Sequence, residues 1–554
     1  MTGNKRFSIN LEYVFIMVFI GVLLWIGVGE VYRHIIVHGY PHGYFAADAF
    51  WGQNHVTTVY ETGKTLYLPY YIAGGYKDVI THHYPLILQL VALFAHASGL
   101  QPYDALFLFG CMLIIMTALS MYVLIRELNK DVAIISTSVM AMIFTGVFML
   151  VITWGKYGSI TGNFFLITSF WVMTRFDLKK VWILFGLVLA GVFLGHPSET
   201  MFSTAFIAIF LGTKFMLKQL KLHDIKVVLL SGILALILSS HFFYIMSFTE
   251  LKFRKSEYPT FSPILTQPYP YPVLKDFGIV FLGLIVVGII FSVLLIIQKR
   301  KIEIPIAAGF FLLLLTYSNY IGLFRAFQLR YHWPIYLSIF VGMGAYQLMK
   351  LFVKKWSYIH SIGVAGLLIV MFIVTAYKPI GSSGIATPDS WNAFMWIRHN
   401  AKPDAQVLFL YGDAYNQESY DFNTHRVGYR VAEPDYFGAL QNKTVKRYYT
   451  TGILVWDVTK LPYRKSIFKF GYHSLEDKER FGPKVRDICK FDYYIVDKVT
   501  RQPIIGQYNI EVAKQLLKND WIEEVFAGGR VMVLHNKHPG KDCLPEEGVR
   551  IWEE

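Results

Sequence analysis

Charge is scarce in this chain. Charged residues make up 16% of its 554 positions, against 54% hydrophobic and 17% aromatic residues. A water-soluble protein of this length needs more polar surface, so that class is excluded. Cysteine is scarcer still, with only Cys111, Cys489 and Cys543. Three cysteines exclude a disulfide-dense framework, and no Cys/His spacing here resembles a zinc site. Cys111 lies in an apolar run, whereas Cys489 and Cys543 share the C-terminal region and can pair if that region is external. Internal repeats and low-complexity tracts are missing, which weighs against a transporter built from paired repeats. The first apolar run lacks a small-residue cleavage site after it, so it reads as a retained signal anchor with Lys5 and Arg6 on the cytoplasmic side.

Long apolar runs dominate instead. Segments of about 20 apolar residues can cross a bilayer. They recur at 13–32, 103–125, 132–153, 162–176, 181–195, 200–217, 225–248, 276–297, 304–322, 333–350 and 359–377. A weaker run, 85–99, contains Gln89, His96 and Ser98 and reads as a half-buried interfacial helix. The net charge of +14 sits largely in short loops: Arg126 and Lys130; Arg175, Lys179 and Lys180; Lys214, Lys218, Lys221 and Lys226; Lys299, Arg300 and Lys301; Lys350, Lys354 and Lys355. Each of these loops falls on one side, the positive-inside pattern, and nucleic acid is not implied.

The expected fold is therefore a polytopic α-helical membrane protein of about 11 transmembrane helices with a C-terminal external α/β domain. Residues 1–378 form the membrane part, with 33–102 as a large external loop carrying amphipathic helices. Residues 379–554 form the soluble domain. An odd number of spans with the N-terminus cytoplasmic places that domain outside the cell membrane. Its elements are legible. Thr387-Pro388-Asp389 starts a helix, with a cap, a first-turn proline and an acid near the positive end. Residues 405–411, 493–496, 521–526 and 530–534 read as strands, and 510–518 as an amphipathic helix.

The candidate chemistry gathers on the outer side. Asp48 stands in Phe45-Ala-Ala-Asp48-Ala-Phe-Trp51-Gly-Gln-Asn54-His55; if helical, this segment puts Asp48 and His55 on one face. A carboxylate there can serve as general base towards an attacking hydroxyl. His82 and His83 end the same loop. Lys156, His196, Glu199 and His241 also map outside, as do Arg325, Arg330 and His332. Ionisable groups that converge at one membrane face suggest a shared polar cavity. The positive-inside pattern disfavours outer arginines, and a phosphate held by a guanidinium fork explains Arg325 or Arg330.

This arrangement resembles the GT-C superfamily of polytopic glycosyltransferases, in layout like the catalytic subunit of oligosaccharyltransferase and the protein O-mannosyltransferases. The resemblance runs through about the first 380 residues. It rests on the acidic outer loop with Asp48, the Tyr84-Pro85-Leu86 opening of a helix ending near Gly99, Arg126-Glu-Leu-Asn-Lys130, Arg325 and Arg330 before Pro334, and the C-terminal outer domain. It implies a polyprenyl-phosphate sugar donor (dolichyl phosphate in one branch), a glycan, lipid or protein acceptor, Asp48 as base, inversion at the anomeric carbon, and donor-phosphate binding by Arg325, Arg330 and Lys156. Two departures bear on this. The 154–163 loop contains no Asp or Glu, so a metal-independent enzyme is expected, with a divalent metal as the alternative. The Trp-Trp-Asp motif of oligosaccharyltransferases is missing, which argues against oligosaccharide transfer to a sequon asparagine. A flippase of lipid-linked sugars and an inactive scaffold are the rival readings.

Overall fold

The computed structural model describes residues 11–65, 68–73, 75, 85–248, 272–299, 303–317, 326–353, 355–375, 384–410, 420–453, 484–500 and 502–552. Its body is mostly helical. Five helical segments are long and apolar enough to cross a membrane: Leu11–His38, Pro102–Arg126, Leu222–Phe242, Leu274–Gln298 and Leu329–Phe352. Lys130–Phe144 and Gly146–Thr153 form a sixth if their 69° bend is one broken span. Helices stand at every expected span, yet by length and apolarity the described residues do not reach eleven. Apolar runs overstate helix length where the backbone turns. One break falls at Thr145-Gly146, where Gly146 takes φ +55°, and the helix from Ile304 ends at Leu315. The weak run forms the helix Pro85–Ser98, which buries Ile87, Leu88, Val91, Ala92 and Ala95.

The Pro102–Arg126 helix shows how the two ends of this body differ. Its 25 residues rise about 37 Å. At its far end Arg126 forms an ion pair with buried Glu12, which also accepts from Tyr122 Oη at 3.0 Å and lies 3.8 Å from Lys130 Nζ. At its near end Tyr103 packs against Trp391, with ring centroids 5.5 Å apart, and its carbonyl accepts from Tyr44 Oη at 2.5 Å. Arg175 pairs with Glu127, so it too lies at the far end.

Beyond the membrane helices, Thr387 caps the helix Pro388–Asn400. Its Oγ1 accepts from Ser390 N at 3.2 Å, while Ser390 Oγ accepts from Thr387 N at 3.0 Å. The strands are β1 (Gln406–Phe409), β2 (Val427–Val431), β3 (Thr444–Val445), β4 (Tyr448–Ile453), β5 (Lys484–Asp487), β6 (Tyr493–Asp497), β7 (Ile522–Ala527), β8 (Val531–Asn536) and β9 (Val549–Arg550). Seven of them form one sheet in the order β5-β4-β2-β1-β6-β8-β7, and β3 pairs with β9. Among the described residues only the central strands are parallel, β1 to β2 and β1 to β6. Strand alternation divides the sheet's faces. Val407, Phe409, Tyr493 and Ile495 join the core that continues into the membrane helices, whereas Leu408, Leu410, Tyr494 and Val496 join a second core with Tyr508, Val512 and Leu516. That second core is lined by the helix Pro503–Leu516, which begins well before the expected 510. Cys489 and Cys543 are disulfide-bonded, with Cα atoms 5.4 Å apart.

Candidate active site

Asp48 lies in the first turn of the helix Ala47–Thr62, where a negative side chain suits the positive helix end. Two features hold that turn in place. Phe45 N donates to Thr153 O at 2.8 Å, and the ring of Phe45 stacks on Trp154 at 6.4 Å. Gly155, at φ +76°, then runs so close that a Cβ there would sit 2.3 Å from Ala49 Cα and N. Only glycine permits this approach. The next residue, Lys156, precedes the helix Tyr157–Met173, and its Nζ forms an ion pair with Asp48 Oδ2. Asp48 is 54% exposed and Lys156 17% exposed, so the pair borders an open region.

One turn along the same helix a buried polar chain begins. Glu199, in the first turn of Pro197–Met216, is fully buried, and its Oε1 accepts from Ser159 Oγ at 2.7 Å and Asn163 Nδ2 at 3.3 Å. Its Oε2 pairs with His196 Nδ1. Asn163 Nδ2 also donates to Ser159 O at 2.9 Å, which leaves Oδ1 to accept from Tyr336 Oη. A carboxylate buried in a helical body requires this many donors.

Tyr336 leads back to the arginine-bearing segment. His332 is buried and stacks on Tyr336 at 5.7 Å, and neither of its ring nitrogens has a hydrogen-bond partner among the described residues. Arg330 is part-buried between aromatic rings, 5.1 Å from the centroid of Tyr317 and 5.6 Å from that of Trp333. Between them, Tyr331 meets Trp154 edge-on at 5.8 Å. Two links, Trp154 to Tyr331 and Asn163 to Tyr336, thus bind the Lys156 helix to the Arg330 segment.

Other candidates lie elsewhere. His55 shares the helix of Asp48 but stands about 10 Å farther along its axis. It is buried, bonds Trp51 O through Nδ1 at 2.8 Å and packs tilted against the Trp51 ring, with centroids 4.3 Å apart. Trp51 in turn faces Phe422 of the C-terminal region, at 5.8 Å. The spacing gives the face of His55 but not its depth, and the structure places its ring buried against Trp51, beside the C-terminal region. His241 is exposed on Leu222–Phe248 and bonds none of the groups above. His82, His83 and Arg325 lie outside the described residues. Sequence reasoning passed over Ser159, Asn163 and Tyr336. Lys156, Ser159 and Asn163 recur at three and seven residues, one helical face, and that polar stripe inside an apolar run was the available signal. No group of three His, Cys, Asp or Glu side chains among the described residues could hold a metal ion.

The C-terminal region clamps the Asp48 helix along its length. Gln53 Nε2 donates to Asn423 Oδ1 at 2.9 Å, both buried, Phe50 packs on Tyr420 at 4.5 Å, and Glu61 pairs with Arg398. The Asp48 helix and the C-terminal region are thereby one packed unit.

No protein-family model and no curated protein matches the chain. Solved structures do. The oligosaccharyltransferase of Archaeoglobus fulgidus, tethered to an acceptor peptide containing the NVT sequon, aligns at a TM-score of 0.58 and 12% identity, over 96% of this chain and 89% of that one. ArnT from Cupriavidus metallidurans, bound to undecaprenyl phosphate, aligns at 0.53 and 11%, over 94% and 98%. The arabinofuranosyltransferase AftD from Mycobacteria aligns at 0.50 and 9%, over 96% of this chain but 40% of that one. Likeness at such identity speaks to architecture alone, and what it establishes is that this chain has a GT-C-like fold.

Proposed function

We propose that the protein is a membrane glycosyltransferase that moves a single sugar from a polyprenyl-phosphate donor to an acceptor hydroxyl at the outer face. The observation that carries this reading is the pairing of Asp48 with Lys156 in a partly open setting, on a helix linked to the Arg330 segment. The fold likeness supports it. One similar structure holds a dolichol-phosphate with an inhibitory peptide and another holds undecaprenyl phosphate.

In this mechanism Asp48 takes the proton from the acceptor hydroxyl as its oxygen attacks the anomeric carbon. The bond from that carbon to the phosphate oxygen breaks, and polyprenyl phosphate leaves with the electron pair and a second negative charge. Arg330 and Lys156, with Arg325 on the sequence's showing, stabilise that developing charge. One displacement inverts the anomeric carbon. The lipid tail lies among the membrane helices, and the C-terminal region, on the outside with the N-terminus cytoplasmic, receives a glycan, lipid or protein acceptor. A disulfide suits an oxidising outer compartment, and the basic loops suit the opposite side.

The test is donor turnover in nanodiscs with undecaprenyl- and dolichyl-phosphate sugars, read as released polyprenyl phosphate. Asp48→Asn should reduce turnover by about 10²–10⁴ while donor binding and thermal stability persist. Normal turnover in that variant rules out the base.

A further inference from the structure

We propose that Glu199, Asn163 and Tyr336 are positioning residues: a buried hydrogen-bonded bridge that sets the spacing between Lys156 and Arg330, and so the fit to the donor phosphate. The inference rests on the donor reading above. Ser159, which donates to Glu199 at 2.7 Å, is one helical turn from Lys156, and Asn163 one turn further. Tyr336, which donates to Asn163, is the last residue of the short helix Trp333–Tyr336, directly after the segment with Arg330. Each end of the bridge therefore reaches the backbone that carries one candidate phosphate cation.

Among membrane helices, apolar side chains join neighbours without any desolvation penalty, and small residues already bring these helices together. A Cβ at Gly195 would lie 3.1 Å from Gly162 N, and one at Gly162 would lie 3.0 Å from Glu199 Cγ. A carboxylate with no exposed surface adds little to such packing, yet here it accepts from Ser159 and Asn163 and pairs with His196. What it contributes is direction. Hydrogen bonds fix the rotation and depth of a helix more narrowly than interdigitated apolar side chains. A lysine and an arginine that must meet one phosphate group need that narrow placement.

Trp154 and Tyr331 make an aromatic contact at 5.8 Å between the same two chain segments. The Lys156 side is thus held before and after the cation, at Trp154 and at Asn163, and the Arg330 side is held at Tyr331 and Tyr336. Arg330 is additionally steadied by the rings of Tyr317 and Trp333.

The experiment compares two lipids of equal tail on the full-length protein in nanodiscs, undecaprenyl phosphate and undecaprenol. Wild type should prefer the phosphate. Tyr336→Phe keeps the ring and removes only the hydroxyl; by displacing a cation it should weaken undecaprenyl-phosphate binding by about tenfold, the scale of one cation-to-phosphate hydrogen bond, and leave undecaprenol binding unchanged. Glu199→Gln should act in the same direction, and its combination with Tyr336→Phe should weaken binding no more than the larger single effect. Equal weakening of both lipids assigns the bridge a general folding role and overturns the proposal, as does unchanged phosphate preference. A wild type that binds both lipids alike would instead defeat the donor reading, on which the proposal stands. Asp48→Asn, by contrast, should keep the preference while losing transfer.

Discussion

Asp48 and Lys156 stand 108 positions apart and form an ion pair across two helix N-termini, those of Ala47–Thr62 and Tyr157–Met173. The two partners are not equally placed. A carboxylate is at home in the first turn of a helix, whereas an ammonium just before one faces the positive end of the dipole. Lys156 therefore depends on a nearby anion more than Asp48 depends on a cation, and in the proposed function the donor phosphate would compete for it. We expect Lys156→Met to cost under about 1 kcal/mol in stability, because Asp48 is half exposed. Donor affinity should fall much further, and Lys156→Arg should restore part of it. Titration of undecaprenyl phosphate onto the three proteins checks this; equal affinities would assign the pair a structural role only.

Gly155 should be intolerant of any side chain. At φ +76° an L-residue is strained, and a Cβ would collide with backbone rather than with a flexible side chain, at 2.3 Å from Ala49 and 2.6 Å from Asp48. Gly155→Ala must push the start of the Ala47–Thr62 helix away from Lys156. We expect a loss of about 1–3 kcal/mol and a loss of transfer larger than that destabilisation accounts for. Thermal unfolding and turnover measured on the same preparation separate the two effects.

Much of this architecture is legible in the residues, and the failures have physical causes. Thr387-Pro388-Asp389 announced its helix because capping is local. β6 was visible because a central strand buried on both faces is a short apolar run. β2, β4 and β5, which form one flank of the sheet out to its β5 edge, escaped notice: their residues mix Arg, Lys, Thr and Tyr, and only pairing with neighbours makes them strands. Asp48, Lys156, His196, Glu199 and Arg330 could be nominated singly from charge on the outer side. Their linkage could not, because Asn163 meets Tyr336 across 173 positions and each looks unremarkable inside its own apolar run.

The disulfide reports both stability and side of the membrane. The disulfide ties Cys543 to Cys489, just before β6, and Asn536 Nδ2 donates to Cys489 O and Asn519 Nδ2 to Cys543 O, each at 2.9 Å. Opening such a link should cost about 2–5 kcal/mol. On intact cells, a membrane-impermeant maleimide should label the protein only after an impermeant phosphine reductant is added. Labelling of Cys489 and Cys543 that requires permeabilised cells would place the C-terminal region inside and move the proposed chemistry to the other face. Cys111, buried in its helix, should remain unlabelled throughout.

The junction between Tyr70-Tyr71 and the C-terminal sheet should be sensitive to acid through one histidine. The ring of His425 stacks on Tyr71 at 4.4 Å, and its carbonyl accepts from Tyr70 Oη at 2.9 Å. Burial first, then Arg398, Arg426 and His399, push its pKa down to about 3, against about 6.5 for an unperturbed histidine. Between those values the unfolded chain binds a proton that the folded protein does not. Stability should therefore fall as pH drops from about 6.5 towards 3, and the effect is absent above that window. His425 also has φ +53°, which asparagine tolerates. We expect His425→Asn to be less stable at pH 7.5, where the ring stack is gone, but to lose on the order of 2 kcal/mol less than wild type between pH 7.5 and 4.5. Unfolding curves at both pH values decide it: a wild type and variant that lose stability in parallel would show that His425 carries none of the acid sensitivity.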